Sequence, residues 1–380
     1  MLTLAAFAVL AALAGASPFV AKETTEAPSF AYTNPNGLNF VQYNASLPNV
    51  AIFATGGTIA GSGTSTTQTS GYKAGVLGVM TLINSVPEIL KVSNVAGVQI
   101  ANAESSDIDS TILLSLSKKY VSTALPRTLS RLDGWSGGDA WDRHTRRDGF
   151  LPGCDGQLRE AGRDRGAMRP ATALSADGPF NLLEAVTVAG DPCSKNRGAL
   201  VVLNDRIVSA YYVTKTNANT LDAFVAYEQG SLGSLVSNKP YYYYPPVSPT
   251  GKRAYDISSI TAIPRVDILM AYEEMPVDLL QHSVDSGAKG IVIAGTGAGS
   301  VKSDFERAMQ RIINSNTPVI QSTRATSGEV PNSNVARPGA FHIASGYLNP
   351  QKSRILLGLL LAQGKTLAEV ANAFAPSTNN

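Results

Sequence analysis

The sequence predicts an α/β fold in two domains, and three observations predict it. Short apolar, β-branched runs alternate with segments of helical spacing, the pattern of parallel strands joined by crossover helices. A stretch rich in Tyr and Pro, Lys239 to Arg253, follows neither period and interrupts the alternation, which restarts beyond it. With 380 residues, 44% of them hydrophobic, the chain has material for two cores, and neither disorder nor a repeat array is indicated.

Taken in order, residues 1–16 form a short apolar run ending in Ala14-Gly15-Ala16, too brief to span a bilayer, and read as a secretory signal peptide. A polar N-terminal extension, 17–47, follows and carries the N-glycosylation triplet Asn44-Ala45-Ser46. The larger domain is expected over 48–238. Its first strand, from Asn49, runs into a Gly/Thr turn; Val79 to Lys91 has helical spacing; Val95 to Asn102 is a strand; Asp107 to Lys119 is a helix capped by Ser106. Helix Asn181 to Ala189 and strands Ala199 to Leu203 and Ser209 to Val213 complete it. A linker is expected over 239–259 and a smaller α/β domain over 260–380. In the latter, strands Val266 to Met270, Gly290 to Ala294 and Pro318 to Ser322 alternate with helices Val277 to Ser286 and Ser303 to Asn314, and an apolar helix, Pro350 to Gln363, packs on them.

Bulk properties narrow the partners. A net charge of +2 and the absence of basic clusters with interleaved aromatics leave no electrostatic footprint for nucleic acid. No window after the leader is long enough to cross a membrane. Cys154 and Cys193 do not make a disulfide framework. His144, His282 and His342 show no ligand spacing with Cys or acidic residues, so no metal and no cofactor is expected. Small-molecule chemistry is the default.

The turn Thr55-Gly56-Gly57-Thr58 points to what that chemistry is. Glycines there permit a tight bend that sets a hydroxyl beside free backbone N–H groups, the requirement for acyl transfer through an activated alcohol. Two nucleotide-binding readings fare worse. Gly295-Thr296-Gly297-Ala298-Gly299-Ser300 follows a strand and precedes a helix, but its sixth position is serine and the next strand ends at Gln321-Ser322 without an acidic residue for a ribose. No Gly-Lys-Ser/Thr follows Gly56 to Gly61, so that loop is not a phosphate cradle.

Several segments together resemble the type II L-asparaginases of the bacterial periplasm and of secreted fungal enzymes. They are Ala54-Thr55-Gly56-Gly57-Thr58-Ile59-Ala60-Gly61 with Tyr72 in the following loop, Met168-Arg169-Pro170, Ser175 to Asn181, Val213-Thr214-Lys215-Thr216-Asn217 and Leu348-Asn349-Pro350-Gln351-Lys352. The resemblance implies a larger N-terminal flavodoxin-like parallel-sheet domain plus a smaller C-terminal α/β domain, acting on L-asparagine and, more weakly discriminated, L-glutamine. It implies Thr58 as nucleophile, Tyr72 as its loop activator and Lys215 as proton relay. Gly57, Ser105 and Ser106 would meet the substrate, although the family commonly has glutamine where Ser106 stands. Ser300 would reach a neighbouring subunit's site in a homotetramer. A noncatalytic amino-acid binder of the same fold would lack the nucleophile, and Thr58 argues against it.

One stretch departs from this pattern. Residues from about 124 to 165 hold both tryptophans and eight of the eighteen arginines, with no sustained period, where the family carries a Thr-His-Gly-Thr-Asp-Thr motif that supplies half of a second triad. Read from the second base of each codon, Gly138-Asp139-Ala140-Trp141-Asp142-Arg143-His144 permits Val-Thr-His-Gly-Thr-Asp-Thr. Thr145 to Phe150 then permits Leu-Glu-Glu-Thr-Ala-Phe, and a Gly-Lys-Pro-Val-Val-Ile-Val-Gly strand is permitted before Ala167. The stretch is therefore expected to be a frameshifted translation, entered between Lys119 and Gly134 and left near Arg165. As written, such a chain is expected to fold poorly and turn over little substrate.

Overall fold

The computed structural model describes residues 30–123, 166–247, 249, 255–332 and 342–375, together with the two-residue strands Trp135–Ser136, Asp139–Ala140 and Arg163–Asp164. The expected leader, His144, Cys154 and the rest of the anomalous stretch lie outside the described residues.

The N-terminal domain begins with a small antiparallel pair, β1 (Tyr32–Thr33) and β2 (Asn39–Phe40), which leads to the parallel pair β3 (Asn49–Gly56) and β4 (Asn94–Ala103). The sheet order is β1-β2-β4-β3. Val50 and Ile52 turn inward from β3 onto Val79 and Ile83 of α1 (Val79–Asn84) and Ile89 of α2 (Ile89–Val92). The expected helix over Val79 to Lys91 is thus two short helices. Pro87 lies between them, where its ring and missing N–H forbid one continuous ladder.

Helix α3 (Ser110–Thr123) opens three residues later than expected. Its first turn is capped by Asp109, whose Oδ1 accepts from the Ile112 amide at 2.8 Å, whereas Ser106 lies in a 3-10 turn and donates to its neighbour Asp107 at 3.5 Å. The carboxylate three residues before the first apolar position of the helix is the better cap.

A second sheet combines β5 (Arg163–Asp164), β6 (Leu200–Leu203), β7 (Arg206–Ser209), β10 (Gly233–Val236) and β11 (Lys239–Tyr242) in the order β11-β10-β7-β6-β5; a separate ribbon pairs β8 (Thr214–Lys215) with β9 (Phe224–Val225). Two hairpins set its registers. Asn204 and Asp205 at φ 54° and 59°, and Ser237 and Asn238 at 51° and 59°, give the paired positive φ values of a two-residue turn that matches strand twist. The second hairpin corrects the expected linker, because Lys239–Tyr242 is an edge strand with alternating exposure, not a connector. Ser209 to Val213, expected as a strand, is instead a turn: the Tyr212 and Val213 amides both donate to the Ser209 carbonyl.

Helix α4 (Gly178–Gly190) covers both sheets at once. Leu182, Leu183 and Val186 pack on Val50 and Ile52 of β3, and Ala185 and Val188 pack on Leu200 and Val202 of β6. Among the described residues β3 has a ladder on one side only, toward β4, and β5 has one only toward β6.

The C-terminal domain is a parallel sheet of β12 (Val266–Met270), β13 (Gly290–Gly295), β14 (Val319–Thr323) and β15 (Ile343–Ala344) in sequential order. Ile291 to Ala294 are fully buried because helices cover both faces, which explains the unbroken apolar run. On one side lie α5 (Asp278–Asp285) and α6 (Ser303–Asn314), through Leu280, Phe305 and Met309; on the other lies α7 (Pro350–Ala362), through Leu356, Leu357 and Leu360. A last helix, α8 (Leu367–Phe374), closes the domain behind a capping box of Thr366 and Glu369.

Candidate active site

Strands β3 and β4 are parallel, so their C-terminal ends emerge side by side, the edge at which open α/β sheets gather ligands. Register holds from Asn49 opposite Asn94 to Ala54 opposite Gln99, then shifts so that Gly56 faces Ala103. Gly56 has φ 102°, and a Cβ on it would lie 2.4 Å from the Ala103 carbonyl oxygen, so only glycine lets β3 turn here. Gly57 follows at φ 76° and ψ −167°, its amide donating to the Ala103 carbonyl at 2.8 Å. The chain then enters a single 3-10 turn, Thr58–Ala60, which carries the Thr58 hydroxyl at the mouth of the strand.

A 14-residue excursion brings Tyr72 back to that hydroxyl. The Thr58 Oγ1 and Tyr72 Oη atoms are 2.7 Å apart. Reciprocal backbone bonds between Ser62 and Lys73 close the base of the loop, and the Gly75 amide donates to the Gly57 carbonyl at 3.1 Å. Its outer part is tied to the segment after Gly166: the Gly63 amide donates to Thr172 Oγ1, the Leu174 amide to the Thr66 carbonyl, and the Ala171 amide to the Gly61 carbonyl. Asp177 holds that segment in turn by accepting from the Met168 and Arg169 amides, each at 2.9 Å. The Met-Arg-Pro and Ser-to-Asn segments singled out in the sequence are therefore the frame of the tyrosine loop.

Ser105 and Ser106 sit in the exposed 3-10 turn that begins two residues after Ala103, beside the Gly56 bend. Lys215 is exposed on β8, its Nζ 5.9 Å from the Phe224 ring centroid. Ser300 closes a turn with Thr296 at the C-terminal end of β13, exposed on the other domain. The structure brings Thr58 and Tyr72 into contact and sets the Ser105–Ser106 turn beside them; no hydrogen bond joins Lys215 or Ser300 to Thr58 among the described residues. Of the residues that shape the site, Thr172 escaped the sequence reading, and Asp177 was singled out only as part of its segment, since only folding shows that they hold the loop. Groups of three or more His, Cys, Asp or Glu side chains able to hold a metal are absent among the described residues.

A threonine hydroxyl on a glycine bend, paired with a phenol at the C-terminal end of a parallel sheet, defines an acyl-transfer site of the amidohydrolase kind. The comparisons agree with that class. The N-terminal asparaginase family model matches residues 49–126 and 165–248, and the glutaminase/asparaginase C-terminal domain matches 265–374. The chain is 39% identical over 347 residues to Probable L-asparaginase 1 of Schizosaccharomyces pombe, covering 91% of this chain and 94% of that one. It is 41% identical over 318 residues to L-asparaginase 2 of Bacillus subtilis, with 83% of each chain covered. A crystal structure titled as a probable cytoplasmic L-asparaginase from Campylobacter jejuni superposes with a TM-score of 0.69 at 31% identity, covering 86% of this chain and 99% of that one. The chain belongs to the L-asparaginase family. Its match to the N-terminal family model breaks over residues 127–164.

Proposed function

We propose that this chain hydrolyses the side-chain amide of L-asparagine to L-aspartate and ammonia through an acyl-enzyme on Thr58. The observation that carries the reading is the 2.7 Å contact between the Thr58 and Tyr72 hydroxyls at the end of β3. The Thr58 oxygen attacks the amide carbon as its proton passes to the neighbouring oxygen base. The C–N bond breaks and ammonia leaves protonated. Water then attacks the ester, releasing aspartate and restoring the hydroxyl. Lys215 assists proton movement, and Ser105 and Ser106 receive the charged α-amino and α-carboxylate end. Ser300 serves the site of a neighbouring subunit in a homotetramer. Secretion is supported by the apolar leader and by Asn44, exposed in an Asx turn with Ser46, as a glycan acceptor must be.

The test is ammonia release by the purified chain from asparagine and glutamine, beside Thr58→Ala. Release that depends on Thr58 and favours asparagine is expected. Equal rates for both amides would make it a broad glutaminase-asparaginase, and undiminished release by the alanine variant would overturn the nucleophile.

The interrupted family match favours a second reading of the middle of the chain: residues from about 124 to 165, which include the break at 127–164, are translated in a displaced frame, and the written chain is catalytically impaired. Two structural observations support it. β3 lacks a ladder on its outer side among the described residues, although α4 covers the interval between β3 and β6. The strand that pairs in parallel with the buried β6 carries Arg163 and Asp164, residue types that such strands seldom hold. The shifted frame offers Val and Ile there. Protein of the written mass that hydrolyses asparagine at the rate of its relatives would refute the impairment.

A further inference from the structure

We infer that Lys352 is a positioning residue for the reaction, one that fixes the backbone from which Lys215 projects. The inference rests on the reading of Lys215 as proton relay. Lys352 is the third residue of α7, and its Nζ donates to the carbonyl oxygens of Ala210, Tyr211 and Val213, each at 2.7 Å. An ammonium has three protons, and here three carbonyls meet them. All three carbonyls belong to the turn that carries the chain from β7 to Thr214 and Lys215.

Alternative explanations of Lys352 fit less well. A cation in the first turn of a helix opposes the helix dipole, so α7 gains nothing from it. The start of that helix is already secured by Asn349, whose Oδ1 accepts from the Lys352 amide at 2.9 Å, and by Pro350. Strand pairing holds only the start of the turn, where the Ala210 amide donates to the Ala199 carbonyl at 3.0 Å; from there to Thr214 the chain leaves the sheet, and its carbonyl dipoles converge on one point. Convergent dipoles repel unless a cation sits among them. Asn349 Nδ2 also approaches Thr214 Oγ1, at 3.5 Å, so the first turn of α7 reaches the residue before Lys215 by a second route. Helix α7 is part of the C-terminal core, through Leu356, Leu357 and Leu360. In this way the smaller domain sets the position of a lysine on the larger one.

The experiment uses the full-length chain expressed from its genomic coding sequence, with amide hydrogen exchange and steady-state kinetics measured together. Lys352→Met is expected to speed exchange over residues 209–216 at least about tenfold while the β13 amides keep their protection. Its kcat for asparagine should fall at least about tenfold with KM within about twofold, and Lys352→Arg, which can still donate to carbonyls, should recover most of both losses. Ser353→Ala removes a buried bond to the Leu348 carbonyl in the same turn and controls for general damage to the helix start. Unchanged exchange over 209–216 in Lys352→Met, faster exchange there without loss of kcat, or an equal loss in Ser353→Ala would each overturn the inference; where parent turnover is too slow to measure, exchange alone decides. Lys215→Met that keeps full turnover would sink the relay role of Lys215 and leave the exchange result standing, so the two failures are distinguishable.

Discussion

A hydroxyl at neutral pH is a poor nucleophile, and the role proposed for Thr58 depends on its neighbour and its bend. Tyr72 is held by a loop whose base is pinned by Ser62 and Lys73, so its 2.7 Å contact with Thr58 is prearranged before substrate arrives. Tyr72→Phe should therefore lower kcat by about 10² or more while leaving KM nearly unchanged, because the lost group moves a proton and binds little; a change confined to KM would show that the phenol only packs. A second residue acts on stability. Glu184 is fully buried on α4, beside Asp205. Burial, reinforced by Asp205 on the β6–β7 turn, pushes its pKa from 4.5 up to about 8. The folded state thus holds a proton that the unfolded chain releases, so this contribution to stability is complete below pH 4.5 and is lost as pH rises through about 8. Glu184→Gln should flatten the fall in Tm between about pH 5 and pH 9 and melt above the parent at the alkaline end; parallel melting curves would show that the carboxyl is solvated.

At the scale of elements, the site depends on how two strands end. The β3–β4 register brings Gly56 against Ala103, with 2.4 Å left for a Cβ, so Gly56→Ala must push the strands apart or abandon the bend. It should destabilise the chain by more than about 1 kcal/mol, read as a lowered urea midpoint, and abolish ammonia release even where the protein remains folded. Retained activity would mean the bend is looser than its geometry indicates. This level also shows what a sequence discloses. The C-terminal strands and helices were legible because both faces of β13 are covered and periodicity is undisturbed; the helix Ser303–Asn314 is where its pattern places it. The bend that carries Thr58 was legible because glycines flank it. Ser209 to Val213 was misread, since an apolar run of that composition suits a strand equally well, and the Lys352 ammonium that meets its carbonyls lies 139 residues or more away. The cap of α3 was misassigned between two polar residues three apart, and the strand at Lys239–Tyr242 was hidden by its Tyr and Pro content although Ser237-Asn238 is a sound hairpin turn.

For the whole molecule the decisive question is whether one continuous sheet runs from β4 to β6. Helix α4 presents one face to β3 and another to β6, an arrangement that a single sheet beneath it would explain and two separate sheets would not. A parallel strand in that interval must be apolar on both faces. The shifted frame supplies one such run, Val-Ile at the position of β5, and beside it a Thr- and Gly-containing segment at 138–144, and the family match stops at 126 and resumes at 165. Re-encoding residues 127–164 in the shifted frame should therefore join the sheets, giving one cooperative melting transition at least about 5 °C above the written chain. Asparagine turnover should rise with it by about a hundredfold or more, because a second hydroxyl-bearing strand end would then stand beside Thr58. Melting and turnover that stay at the level of the written chain would show that the interval under α4 is filled by the written residues and that the frame is intact.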